Sequence, residues 1–214
     1  LLCILIIPYI IIYYNMRRFI IVFLLLVLLF VYTNTGAEEK LNYKVDVSYP
    51  VTDYKKLNSE ITKKLKYYQK LFLNEIKDSD ITIFNYYTLI INYNSYAYND
   101  ILSYVFFVEY FVGGAHPNHF IFTINYDKNN NSFITDMNNL NVLSDYSRRE
   151  LIKDPRIVNT GMLLDGTRPI KDNFKNFVFT DKGYIFYFER YKIAPYSSGD
   201  ISLLVPYSIL KGKD

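Results

Sequence analysis

Tryptophan is absent from this chain of 214 residues, and cysteine occurs once, at Cys3. A single thiol excludes a disulfide framework and any metal cluster built on several cysteines. Glycine and proline are sparse, eight and seven residues, which excludes collagen-like and Pro/Gly-rich disordered chains. No charge of one sign dominates: 24 basic against 21 acidic residues leave a formal +3. A nucleic-acid binder needs a concentrated basic face, so that class falls away. Phosphate loops, nucleophile elbows, HExxH and Asp-rich metal loops are missing as well. What is plentiful is tyrosine and phenylalanine, 23 and 16, in a composition that is half hydrophobic. Such a chain can bury a core of moderate size.

Residues 1–37 read as a leader. Met16-Arg17-Arg18 precedes an uncharged apolar run, Phe19–Tyr32, and then Thr33-Asn34-Thr35-Gly36-Ala37. That order of positive, apolar and small residues is a secretory signal peptide over 16–37, with cleavage expected after Ala37. The apolar run covers only about 21 Å as a helix, against a hydrocarbon core of roughly 30 Å. Anchoring in a membrane through 19–32 is the alternative. Leu1–Asn15 is expected to lie upstream of the translated start, since Met16 is a plausible initiator. Cleavage would leave 177 residues without cysteine and with net charge +1. The expectation is a bacterial protein that is periplasmic or secreted.

After the leader, Leu41–Tyr49 alternates apolar and polar residues, a half-buried strand ended by Pro50. Leu57, Ile61, Leu65, Tyr68, Leu71 and Ile76 follow at steps of three to five, one stripe of an amphipathic helix with lysines elsewhere. Thr52 or Asp53 is placed to cap it. The charge-poor stretch that follows predicts strands near 82–93, 101–112 and 119–126, with turns at Asn94–Asp100 and Gly113–Asn118. A short strand is predicted at Ser132–Thr135, a helix within 137–152, and a long surface loop over 153–173. Three strands close the chain, at Asn176–Thr180, Tyr184–Tyr191 and Ile201–Pro206. The fold class read from this pattern is α+β: an antiparallel sheet packed by one long amphipathic helix and a second, shorter one.

Both histidines lie in Gly113-Gly114-Ala115-His116-Pro117-Asn118-His119. Spacing of i and i+3 suits a shared metal ion, but the intervening Pro117 favours a turn and no third nitrogen or sulfur ligand accompanies them. No metal and no cofactor is expected. Gly113, Gly114 and Pro117, with Pro195 and Gly199 in Ala194–Gly199, are read as structural turn residues. His116, Asn118, Tyr191 and Tyr196 are the candidate binding residues. Tyr187 and Tyr207 present phenols in the same C-terminal stretch, where tyrosine suits a contact surface. A catalytic alternative uses His116 as base with Asp127 or Glu109.

The stretch GGAHPN after a long apolar strand, a following strand ending Asn-Tyr-Asp, and the ending KGYIFYF, YKIAPYSSG and VPY are together distinctive. They resemble a bacterial extracytoplasmic domain of unassigned function, shared by the anti-sigma factor RsiV and the non-catalytic part of the peptidoglycan deacetylase PdaC. The resemblance implies an N-terminal PdaC-like segment, 38–95, and a C-terminal RsiV-like domain, 96–214. It implies a non-catalytic cell-envelope binding module that recognises a wall-active protein such as lysozyme or a cell-wall glycan. The alternative is a cell-wall hydrolase or deacetylase. Lysozymes are usually basic and favour an acidic partner, whereas this chain is near neutral and rich in lysine. The expected partners are thus an envelope protein or peptidoglycan, not nucleic acid, and a membrane only through an uncleaved leader.

Overall fold

A computed structural model describes residues 43–78 and 86–210. The leader, 1–37, lies outside them, and among the described residues no helix is long and apolar enough to cross a membrane. The elements in chain order are β1 (Tyr43–Val47), α1 (Lys55–Asp78), β2 (Tyr87–Tyr98), β3 (Ile101–Phe111), β4 (Asn118–Asp127) and β5 (Ser132–Phe133). They continue with α2 (Leu140–Leu151), α3 (Thr160–Gly166), β6 (Phe177–Phe179), β7 (Tyr184–Phe188), β8 (Ile201–Val205) and α4 (Tyr207–Leu210). β1 to β5 form one sheet in sequence order, and β6 to β8 form a second. The class is α+β. The departures from expectation are the second sheet and the β1–β2 pair, which is parallel. Parallel pairing follows because α1 separates the two strands and returns the chain to its starting end.

Strand alternation divides β3 between two neighbours. Its even residues Phe106, Val108 and Tyr110 are buried on the α1 side, where Phe72 meets Tyr110 and Tyr68 stacks on Phe122 of β4. Leu57, Ile61, Leu65, Phe72 and Ile76 are the buried stripe of α1. Phe72 takes the place expected for Leu71, which is only half-buried. The odd residues of β3 face the second sheet: Val105 packs with Ile121 and Val178, and Phe107 meets Tyr187. Beyond that sheet lies a phenylalanine-rich core of Phe174, Phe177, Phe186 and Phe188 with Leu143, Leu151 and Leu163 of α2 and α3.

Three local expectations are corrected. Asn94–Asp100 is not a long turn: β2 pairs with β3 out to Tyr98–Ile101, and Asn99, at φ 49°, turns the chain in two residues because asparagine tolerates that conformation. The supposed loop 153–173 contains α3, started by Asn159, whose Oδ1 accepts from the Met162 N–H at 3.2 Å. β7 stops at Phe188 rather than Tyr191. Residues 95 and 96 both lie within β2, which pairs with β3 from Thr88 to Tyr98.

Candidate functional site

Two turns distant in sequence meet at the end of β3 and β4. The first runs from Gly113 to Pro117, with Gly113 at φ 98° and Gly114 at φ 106°, values that β-carbon sterics disfavour. It leaves His116 exposed at the head of β4. The second follows β7: Glu189-Arg190-Tyr191 leaves the strand, and Pro195 opens a short 3-10 turn, Tyr196–Ser198, closed by Gly199 at φ 69°.

His116 and Tyr196 stack at 3.8 Å between ring centroids, 19° from parallel. The Arg190 guanidinium lies 4.5 Å from the Tyr196 centroid, a cation on an aromatic face. Pro117 O accepts twice, from Tyr196 OH at 2.9 Å and from His116 Nδ1 at 3.0 Å. A carbonyl oxygen only accepts, so Nδ1 carries the proton, and Nε2 lies 3.2 Å from Tyr191 OH. Tyr191 holds φ 66° and is 59% exposed.

Beneath the rings is a charged layer. Arg190 lies 3.6 Å from Glu109 and 3.5 Å from Asp200, and His119 Nε2 lies 3.2 Å from Asp200 Oδ2. His119 is almost fully buried, and its Nδ1 has no hydrogen-bond partner among the described residues. Burial pushes the Asp200 carboxyl up, but His119 and Arg190 outweigh it and hold the group below its usual range. A depressed native value means that ionised Asp200 stabilises the fold above the unfolded pKa of about 3.9, and that this stability fades as pH falls through the lower native value. Melting between pH 6 and 2.5 checks this. Asp200→Asn is expected to melt lower than wild type at pH 6, with the gap closing below about pH 4; a gap independent of pH would contradict it.

Of the candidate binding residues, the structure brings His116, Tyr191 and Tyr196 together. Asn118 starts β4 opposite Tyr110, exposed, and its side chain makes no hydrogen bond to the cluster among the described residues. Tyr187 and Tyr207 are not presented: Tyr187 OH pairs with Tyr96 OH at 3.0 Å, and Tyr207 OH donates to Thr180 O at 2.7 Å. Burial, then the Tyr96 contact, pushes the Tyr187 phenol well above its ordinary pKa. Glu109 pairs with Arg190. Asp127 closes the far end of β4, nine residues at about 3.3 Å each from Asn118, and accepts from Asn129 and Asn130. No His116–Asp127 dyad forms. Among the described residues no three or more His, Cys, Asp and Glu converge on a metal position. Arg190, Asp200 and Glu189 are the members that sequence reasoning missed.

An open groove of about 620 Å³ lies along β4. Phe120 to Asn125 form its floor, Glu60, Lys64 and Tyr68 of α1 one wall, and Lys175, Asn176 and Glu189 the other. Burial, then the charge of Glu189, pushes the Tyr68 phenol up to about 12. Glu189 joins groove and cluster, since its carboxylate accepts from the Ile121 N–H at 3.0 Å and it precedes Arg190 in the chain.

Comparison with known proteins places these residues. Residues 37–119 match the family model "Deacetylase PdaC", and 130–208 match "Protein of unknown function (DUF3298)". Peptidoglycan-N-acetylmuramic acid deacetylase PdaC of Bacillus subtilis (strain 168) is 30% identical over 177 residues, covering 77% of this chain and 38% of that protein. The chain therefore spans well under half the length of this curated relative. A DUF3298 family protein from Pseudomonas aeruginosa PAO1 superposes with TM-score 0.53 at 18% identity, over 83% of this chain and 88% of that one. A DUF3298 family member from Bacteroides fragilis NCTC 9343 gives 0.49 at 20% identity, over 71% and 67%. The Pseudomonas likeness supports the fold.

Proposed function

We propose that this chain, a DUF3298/PdaC-like domain, is a non-catalytic extracytoplasmic module that holds on to the cell wall by binding its glycan. The observation that carries the reading is the open β4 groove lined by aromatic and polar side chains, together with the exposed His116–Tyr191–Tyr196 ring cluster. Rings and charged side chains line the groove together, so apolar faces of a sugar meet Tyr68 and Phe120 while its hydroxyl and acetamido groups meet Glu60, Lys64 and Lys175. The relation to a protein named as a peptidoglycan deacetylase supports the same setting. Arginine and imidazole groups here serve to hold rings in place, and His116 has both nitrogens committed to Pro117 and Tyr191. A wall-active protein such as lysozyme is the second reading, favoured by one feature: Tyr191 projects from the surface on a strained turn, as an anchor for a protein pocket would.

Co-sedimentation with purified peptidoglycan tests the proposal. Wild-type protein is expected in the pellet, and Tyr191→Ala to weaken retention about tenfold, the effect of an aromatic anchor worth roughly 1.4 kcal/mol. Capture of lysozyme without retention on peptidoglycan would select the second reading. Absence of both would refute a binding role in the wall.

A further inference from the structure

We propose that the second half of β2 is a pairing edge for a second copy of this chain, which docks antiparallel to it and joins the two five-stranded sheets. The starting point is a mismatch in length. β1 pairs only with Tyr87–Ile91, and its last bond runs from the Ser48 N–H to Ile91 O at 2.8 Å. The chain then leaves the sheet toward α1, while β2 continues to Tyr98.

Antiparallel ladders alternate: each residue turns both backbone groups toward one neighbour, and the next residue turns them away. Ile91 O points toward β1, so Tyr93, Ser95 and Ala97 direct their N–H and C=O groups to the same open side. None of these groups has a hydrogen-bond partner among the described residues. The edges of β4 and β6 are treated differently. On β4, β5 pairs with Tyr126 and Asp127, the Glu189 carboxylate takes the Ile121 N–H, and the Asn176 amide donates to Ile121 O. On β6, the hydroxyls of Thr123 and Ser103 take the N–H groups of Phe177 and Phe179, and the Asn125 amide donates to Phe177 O. Side chains thus stop those edges in the way that prevents strand addition. The β2 edge has no such stop among the described residues.

Its side chains suit a copy of itself. Asn92-Tyr93-Asn94-Ser95-Tyr96-Ala97-Tyr98 holds no charge, no proline and no glycine. Asn92, Asn94, Ser95 and Ala97 are exposed, beside an open hollow of about 660 Å³ bounded by Ser48 and Asn92 to Tyr96. A two-fold axis must bring the strand against itself. With the axis at Ser95, Tyr93 faces Ala97 of the second copy, Ser95 faces Ser95, and Asn94 and Asn92 face Tyr96 and Tyr98. Large rings meet a small residue or an amide, and no like charges meet. The copy's strand ends at Tyr98, opposite Asn92, one residue past Ile91, where the pairing with β1 ends.

Light scattering and sedimentation of the purified chain over roughly 1–100 µM, a range that brackets a micromolar association, test this. The mass is expected to rise toward twice the 25.4 kDa of one chain. Ser95 is exposed and tolerates replacement, so S95K and S95E should keep the wild-type melting temperature. Each sets like charges across the axis and is expected to weaken the dimer at least tenfold. An equal mixture of S95K and S95E should restore it. A monomer throughout the range, a dimer unaffected by S95K, or a mixture that stays monomeric would each overturn the proposal. Binding of a foreign extended peptide at this edge, with the chain monomeric, would overturn it in favour of another occupant.

Discussion

Arg190→Ala is expected to lower the unfolding free energy by about 2–3 kcal/mol and the melting temperature by roughly 5–10 °C. One guanidinium bridges Glu109 and Asp200 and underlies the Tyr196 ring. Removing one member of a fully buried ion pair costs about 3–5 kcal/mol. Here Arg190 is 20% exposed and its partners more, so water screens part of the loss, while the ring contact adds about 1 kcal/mol. Lysine is a poor replacement, because a point charge cannot span two carboxylates and stack as the planar fork does. Asp200→Asn added to Arg190→Ala should recover about 1 kcal/mol, since it removes a carboxylate that has lost its guanidinium partner. Thermal melts of the four proteins at pH 7 check the cycle. Retention on peptidoglycan should fall with Arg190→Ala as far as with Tyr191→Ala. A melting change under 2 °C would mean that the charged layer does not hold the turns.

The site was partly legible in the sequence because its turn residues are chemically conspicuous. Paired glycines before His116 and the Pro195–Gly199 segment announce turns wherever the rest of the chain goes. Their meeting was not legible: His116 and Tyr196 are eighty residues apart, and no local period relates them. Arg190 and Asp200 carried no mark in the sequence, since an ion pair between separate elements leaves no spacing signal. The His116–Asp127 alternative failed for a reason that strand geometry supplies, because the two stand at opposite ends of β4.

The long elements were legible through period alone. Leu57, Ile61 and Leu65 sit at helical spacing, and their stripe is buried as read. β3 misled because it is buried on both faces: one contacts α1 and the other the second sheet. A strand between two layers loses its alternation and reads as a continuous apolar run, so the number of sheets stayed hidden. The parallel entry of β1 was hidden too, since a lone strand before a helix carries no mark of its direction.

Gly183→Ala is expected to cost about 3–5 kcal/mol. Two independent penalties fall on one atom. Gly183 has φ 147°, a region that costs a side-chain-bearing residue about 1–3 kcal/mol. An added Cβ would also stand 2.3 Å from Val205 O and 2.9 Å from Pro206 Cα, and relieving such overpacking costs about 1–3 kcal/mol more. Neither obstacle is a side-chain end that can swing aside; both are backbone at the end of β8. The carbonyl of Gly183 accepts from the Thr180 N–H and Oγ1, and Thr180 O accepts from Tyr207 OH. A shift at 183 is therefore passed to the β6–β7 turn and to α4. Because β7 delivers Glu189, Arg190 and Tyr191 to the site, folded Gly183→Ala protein should also lose wall retention. Denaturant unfolding decides it, with the exposed neighbour Lys182→Ala as control, expected within about 0.5 kcal/mol of wild type. If the two variants unfold alike, the close approach of the 181–183 turn to β8 is not what holds the second sheet in register.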